Sequence, residues 1–562
     1  MLRAADTFSI KQQPKSGTEI MANRNQETKR RIPGRKLLSA AAAAALCAGA
    51  GAAIAATPKN ALVMAWNIDA ISTFDPAQVG EVVTNEILQN TCDTLVDFDP
   101  ADERKVVPSF ASRWDVSPDR KEITFHLQKG AKFPSGNPVT AEDVAWSMHR
   151  VVKLNFGNAA TLTEYGFTKD NVEKNIVAGP DTLTFKLDKP YPTTLVLQAI
   201  AANRVSMVMD KKTLLANEQG GDLGNKYLAT RTACVGPYKL TRWNAGESIV
   251  LEANDNYWGK APALKRVLIR HVAEPGTQRL LLSQGDVDVA RDLTPEDLRD
   301  LESSKDIAIE KVLRPQLFYW GFNVADGPFA KEKVRLAMRY LIDYEGLGKT
   351  VMTHLGVPRA SFAQLGAVGA LDEKEGQPFK LDLDKAKQLL TEAGYPNGFE
   401  ASVLFGTLPH ANPIAQSVQQ NAAKVGVKLS LERMANAQLF SKVRGREYQS
   451  AMLAWQTGVP DAHGNASRLV FNPDNRLEAK QTQYPSWRAA YQDLELNKQI
   501  DAALLEPDAA KRDALYASIQ KEVMAKGPMA FMFQMNSVAG VRKDLKSWTW
   551  NGFRTYYERA AK

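Results

Sequence analysis

The sequence predicts an α/β protein with mixed sheets, divided among several lobes. Three observations support this. The chain has 562 residues, more than one core usually serves. Strand and helix signals alternate along most of its length. Residues 401–434 read as a strand, a helix and a second strand in succession, a βαβ unit that implies parallel pairing.

Each element has a local reason. Ile123, Phe125 and Leu127 alternate with polar residues, as do Leu183, Phe185 and Leu187, so both runs read as half-buried strands. Between them Thr140 and Asp143 have capping-box spacing, and Val144, Met148, Val151 and Val152 recur at helical intervals. Val334, Ala337, Met338 and Leu341 line another helical face. Asp384 is positioned to cap a helix carrying Ala386, Leu389, Leu390 and Ala393, which ends at Gly394 with Pro396 beyond. In the βαβ unit, Ser402 to Phe405 form the first strand. Asn412 caps a helix with Pro413 at its first position and Ile414, Val418, Ala422 and Val425 as its buried stripe. Val427, Leu429 and Leu431 then alternate as the second strand. Ligands of open α/β sheets bind beyond the carboxyl ends of the strands, where the loop around His410 lies beside a helix amino end.

Composition excludes several classes. An apolar fraction of 44% and a charged fraction of 24% are those of an ordinary globular protein. The net charge of +8 is concentrated at the start. Residues 1–56 hold nine Lys/Arg and three Asp/Glu, and the remainder holds 62 against 60, so nothing indicates a nucleic-acid partner. Residues 1–56 read as a signal peptide, with Met21 as an alternative start. Lys29, Arg30, Arg31, Arg35 and Lys36 precede an uncharged Ala-rich run, and Ala53-Ile54-Ala55 supplies the small residues of a cleavage site. Beyond this leader two cysteines remain, Cys92 and Cys234. In an oxidising compartment they either form a disulfide or stay as two buried thiols.

Several blocks then occur in one order. They are Thr73-Phe-Asp-Pro-Ala77, Pro108-Ser-Phe-Ala-Ser-Arg-Trp114, Thr124-Phe-His-Leu-Gln-Lys-Gly130 and Pro138-Val-Thr-Ala-Glu-Asp-Val144. Gly236-Pro-Tyr-Lys239, Asn254-Asp-Asn-Tyr-Trp258, Gln284-Gly-Asp-Val-Asp288, Asp384-Lys-Ala-Lys387 and Glu392-Ala-Gly-Tyr395 follow. In these blocks the chain resembles the peptide/nickel family of periplasmic solute-binding proteins, the dipeptide- and oligopeptide-binding type. Trp114, Phe133 and Trp258 read as packing residues, and Gly130, Gly236 and Gly285 as turn glycines.

The resemblance implies a two-lobe periplasmic binding protein fold. A large first lobe spans residues 57–317, with an extra subdomain at about 101–229. The second lobe spans 318–531, and residues 532–562 return to the first. A two-strand hinge near Gln316–Phe322 and Phe531–Met535 lets the lobes close on a ligand. The implied function is delivery of a small peptide-like ligand to an inner-membrane ABC permease by a periplasmic monomer, without cofactor. An opine-like conjugate, an oligosaccharide or a metal chelate is the alternative cargo. Catalysis is not expected, because no Gly-x-Ser-x-Gly elbow or His-Glu-x-x-His helix occurs.

The resemblance also assigns site residues. Trp455-Gln-Thr-Gly-Val-Pro-Asp461 matches the segment whose acidic residue meets the ligand's amino group, which makes Asp461, with Trp455, Gln456 and Thr457, the expected ligand contacts. A desolvated ammonium needs such a carboxylate; the alternative is that Asp461 caps a turn after Pro460. Trp455 packs either beside the ligand or under its own loop. Tyr319 and Trp320 lie at the expected hinge, and strand alternation lets only one of them face the cleft. Dipeptide-binding members resemble Arg-Pro-Tyr where this chain has Leu408-Pro409-His410, so the carboxylate-binding guanidinium is missing. Either Arg359, Arg468 or a helix amino end replaces it, or the ligand lacks that carboxylate. His410 and His463 are two of only six histidines and fall in ligand-facing loops of the second lobe. They read as ordinary polar pocket lining or surface, with help in binding a metal chelate as the alternative; no tight spacing supports a bare metal site.

Overall fold

The computed structural model describes residues 57–562; the expected signal peptide and its expected cleavage site lie outside the described residues. Its centre is an 11-stranded mixed sheet. From one edge the strands run Lys428–Arg433, Glu400–Phe405, Ser450–Gln456, Ile307–Phe322, Met529–Arg542, Val289–Ala290, Ala61–Trp66, Arg266–His271, Ser248–Ala253 and Tyr238–Asn244, with Gly356–Pro358 paired to Met529–Arg542 off this path. The two long strands Ile307–Phe322 and Met529–Arg542 are antiparallel from Ile307↔Arg542 to Gly321↔Met529. Their register slips between Leu313 and Leu317 and again between Phe318 and Tyr319.

Hydrophobic packing gathers at both ends of this sheet. At one end Leu62, Met64, Ile87, Tyr238, Ile269 and Val289 pack with Ala539, Val541 and Tyr557 from the chain's end. At the other, Phe318, Trp320, Val334, Met338, Val403, Val418 and Phe533 form one core, and Leu317, Tyr319, Leu496, Tyr516 and Phe531 another on the opposite face. We call these two ends the first and second bodies. The first also carries a separate four-stranded antiparallel sheet, Ala111–Val116, Glu122–Leu127, Thr182–Lys186 and Ile176–Ala178. Ile123 pairs with Phe185 and Phe125 with Leu183 there, and all four are fully buried, as their alternation predicts.

Local chemistry sets the helix ends. The helix Ala141–Leu154 begins with a full capping box. The Asp143 N–H donates to Thr140 Oγ1 at 3.2 Å, and the Thr140 N–H donates to the Asp143 carboxylate at 2.9 Å. The helix Leu383–Glu392 is capped by Asp382, whose Oδ1 accepts from the Lys385 N–H at 2.9 Å, and not by Asp384. Asp382 holds the extended backbone that a cap needs, and Asp384 lies in the first turn, where its charge favours the helix dipole. In the βαβ unit Glu400 pairs in parallel with Lys428, and the helix between them is Ala411–Ala423. His410, rather than Asn412, is its N-cap residue, and its side chain makes no capping bond. Ile414, Val418 and Ala422 form the buried stripe. Gly398 and Gly426 close this unit: both have positive φ, and a Cβ on Gly398 would lie 2.1 Å from the Gly426 carbonyl carbon.

Cys92, at the end of the helix Val82–Thr91, is disulfide-bonded to Cys234. Gly236 makes this crossing feasible, because a Cβ there would meet the Thr91 carbonyl carbon at 2.5 Å.

Candidate ligand-binding cleft

The strand Ser450–Gln456 pairs with the long strand Ile307–Phe322 and delivers the segment Gln456–Asp461 beside the first body. The Thr457 N–H donates to the Pro315 carbonyl at 3.0 Å, which fixes this segment against the long strand. Opposite it stand the helix Val82–Thr91 and the turn Arg204–Ser206, and the tail segment Trp550–Thr555 supplies a further wall. These elements enclose a chamber of about 340 Å³. Asn203, Gln456, Thr457 and Gly458 also border a second chamber of about 150 Å³, whose other walls include Glu164, Tyr165, Trp455, His463 and Arg468. The bodies touch across this cleft: Arg468 meets Glu164 at 2.7 Å, and the Asn203 side-chain amide donates to the Gly458 carbonyl at 3.3 Å.

The larger chamber is rich in arginine. Arg291 is ion-paired with Glu86, one of the two contacts being 2.9 Å, and its guanidinium lies over the Trp66 ring with 4.2 Å to the centroid. Glu86 also accepts from the Tyr557 hydroxyl at 2.7 Å. Arg554 is paired with Asp97 and lies 3.5 Å from Glu558. Two arginines have no carboxylate partner. Arg204 donates to Asn85 Oδ1 at 2.7 Å and Asn158 Oδ1 at 3.2 Å, and its buried Nε has no partner. Burial pulls its pKa down to about 10. Arg314 donates to Gln456 Oε1 at 3.0 Å; burial, and then the charge of Arg291, lowers its pKa as well.

The expected contacts divide. Gln456 and Thr457 line both chambers, and Trp455 and His463 line the smaller one. Trp455 donates its indole N–H to Asn465 Oδ1 at 3.0 Å, so it borders the chamber while tied to its own loop. His463 Nδ1 lies 2.8 Å from the Tyr516 hydroxyl, and burial lowers its pKa to about 4.

Asp461 requires a correction. It is fully buried and lines neither chamber. Its Oδ1 accepts from the His463 N–H at 2.8 Å, and both oxygens accept from Arg512, at 2.8 and 2.9 Å. The cation that Asp461 was expected to neutralise in a guest is supplied by the chain itself, and the cap after Pro460 describes its role here. Tyr319 and Trp320 are also corrected: neither lines a chamber, because alternation sends them into cores on opposite faces of the sheet. His410 lies away from both chambers, buried edge-on to Phe318 with its Nε2 unpartnered, and burial lowers its pKa to about 4. Among the described residues no three His, Cys, Asp or Glu side chains gather as a metal site.

Of the expected substitutes for the missing arginine, Arg359 is spent on the carbonyls of Ala363, Leu371 and Asp372, each at 2.8 Å. Arg468 faces the smaller chamber but is held by Glu164. The helix amino end at Ala411 borders neither chamber. Sequence reasoning missed Arg204, Arg291, Arg314 and Arg554. They come from four distant segments and carry no shared spacing.

Comparisons with known proteins agree with this architecture. Residues 105–476 match the family model for bacterial extracellular solute-binding proteins, family 5 Middle. The probable D,D-dipeptide-binding periplasmic protein DdpA of Escherichia coli K12 is 28% identical over 501 residues, covering 88% of this chain and 93% of that protein. The glutathione-binding protein GsiB of Pectobacterium atrosepticum is 25% identical, covering 89% of this chain and 94% of its own. Among solved structures, the Helicobacter pylori periplasmic binding protein DppA in complex with the peptide STSA superposes with a TM-score of 0.70. It has 23% identity and covers 89% of this chain and 98% of that one. AgaA from A. tumefaciens R10, in complex with agropinic acid, has the same TM-score and coverage at 24% identity. The chain therefore belongs to the family 5 bacterial extracellular solute-binding proteins, non-enzymatic substrate-binding components of ABC importers.

Proposed function

We propose that the protein works in the periplasm, where it captures a peptide-like solute in the cleft between its two bodies and presents it to an inner-membrane permease. The observation that carries this reading is the larger chamber, walled by Asn85 and Arg204 on one side and by Gln456 to Gly458 on the other. A site built from both bodies binds best when they are together, so ligand and closure favour each other. In this reading the lobes are residues 57–317 with the tail 532–562, and residues 318–531. The hinge is the pair of long strands, near the register slips around Leu313 to Tyr319. No helix among the described residues is long and apolar enough to cross a membrane. Relatives named for periplasmic dipeptide and glutathione binding support a peptide-like guest.

Native mass spectrometry of freshly purified protein, together with thermal shift against a peptide panel, tests the reading. A guest present at about 100 times its dissociation constant stabilises the protein by roughly 2.7 kcal/mol. No retained guest and no shift with any panel member would count against the cleft as a solute site.

A further inference from the structure

We infer that the guest is an acidic solute with at least two carboxylates, one met by Arg204 and another by Arg314, given that the cleft holds the solute. Four arginines and two glutamates line the larger chamber. Two of the arginines are already neutralised, Arg291 by Glu86 and Arg554 by Asp97. Arg204 and Arg314 are left with amide oxygens only, from Asn85 and Asn158 and from Gln456. A carboxamide accepts a hydrogen bond but cannot neutralise a guanidinium. Glu81 acts on Arg204, and Glu86 on Arg314, only through space; a partly desolvated guanidinium with no bonded counter-charge gains from a guest carboxylate.

The acids offer little to a cationic guest. Both oxygens of Glu86 are bound to Arg291, and one of them also to Tyr557. Glu81 accepts from the Ser72 hydroxyl and the Gly80 N–H. What the walls offer a guest is two guanidiniums with no bonded carboxylate, which favours anions. The two open guanidiniums also stand on different supports. Arg204 belongs to a turn of the first body, and Arg314 lies on the long strand, held by Gln456 on a strand that packs into the second. Both lie within residues 57–317, and Gln456, bonded to Arg314, brings the other lobe to the same guest.

Isothermal titration of the purified chain tests this with Glu-Glu, N-acetyl-Glu-Glu, glutathione, Gln-Gln amide and Ala-Ala amide, and native mass spectrometry identifies any co-purified guest. The acids are expected to bind at least about tenfold more tightly than the amides, a difference of about 1.4 kcal/mol. Their affinity should fall as NaCl rises from about 50 to about 500 mM. Arg314→Gln and Arg204→Gln should each weaken acid binding at least about tenfold, while the melting temperature of the unliganded protein holds or rises. If Arg204→Gln does not fold, Arg314→Gln decides, since Arg314 makes one hydrogen bond in the free protein. Tightest binding of an amide, a co-purified guest without carboxylates, or unchanged acid affinity in the variants would overturn the inference and leave the cleft reading intact. A protein that binds no panel member and retains no guest would overturn both.

Discussion

Arg512, on the helix Ala509–Lys526, donates both terminal guanidinium nitrogens to the two carboxylate oxygens of Asp461, at 2.8 and 2.9 Å, and both side chains are almost wholly buried. The pair ties the loop after Trp455 to a helix 51 residues further along the chain.

Asp461→Ala strands a buried guanidinium and is expected to cost about 3–5 kcal/mol of stability. Urea unfolding measures this. Protein that remains folded should keep its ligand affinity within a few-fold, because Asp461 borders neither chamber. A variant that kept its stability and lost binding would restore Asp461 as a ligand contact.

Burial lowers the pKa of both His410 and His463 to about 4 and raises that of Asp93 to about 7. The imidazoles are neutral in the fold but protonate below about 6.5 in the unfolded chain, so their stabilising contribution is complete above that pH and is lost on acidification towards 4. Asp93 acts in the opposite sense: its contribution is full below the unfolded value of 3.8 and is lost as pH rises towards 7. Between pH 4 and 6.5 the unfolded chain holds one more proton on these three groups than the fold does. Their combined contribution therefore rises with pH by at most about 1.4 kcal/mol per unit. His410→Leu removes one imidazole, and its denaturation free energy should change less between pH 5 and 7 than that of the parent. Identical pH profiles would contradict the burial of His410.

The Cys92–Cys234 bond closes a loop with a sequence separation of 142 residues. Loop-closure entropy gives such a crosslink roughly 2–5 kcal/mol. A phosphine reductant should lower the melting temperature of the parent and leave a Cys92→Ser/Cys234→Ser variant unaffected.

Glu164 and Arg468 join the bodies across the cleft with partly exposed side chains. Such a pair contributes about 0.2–1 kcal/mol and is screened by salt. Glu164→Ala should weaken ligand affinity by about two- to fivefold with little change in unfolding free energy. Small-angle scattering of the unliganded variant should show a larger radius of gyration. Equal radii would mean that the contact does not bias closure.

The elements were legible where one periodicity governed them. Ile123, Phe125 and Leu127 form a strand, Ile414, Val418 and Ala422 form a buried stripe, and Thr140 with Asp143 form a capping box. Caps were missed by two residues at Asp382 and His410, because neighbouring side chains compete for the same position and the backbone decides between them. The site was less legible. The partner of Asp461 is remote in sequence, and a carboxylate in a loop looks the same whether it awaits a guest or already holds Arg512. Arg204, Arg291, Arg314 and Arg554 converge only after the sheet has assembled.

Lys562, the final residue, is bonded to Thr57, the first described one, and ion-paired with Asp288. Val541 and Gly540 supply the neighbouring strand for Val289 and Ala290, and Tyr557 is sealed in the same core as Met64. The first body therefore cannot finish assembling until the segment containing Gly540, Val541 and Tyr557 has been made. A nascent chain that stops short of that segment carries the first body with an unpaired sheet edge and an open apolar seam, the surfaces on which holding chaperones act.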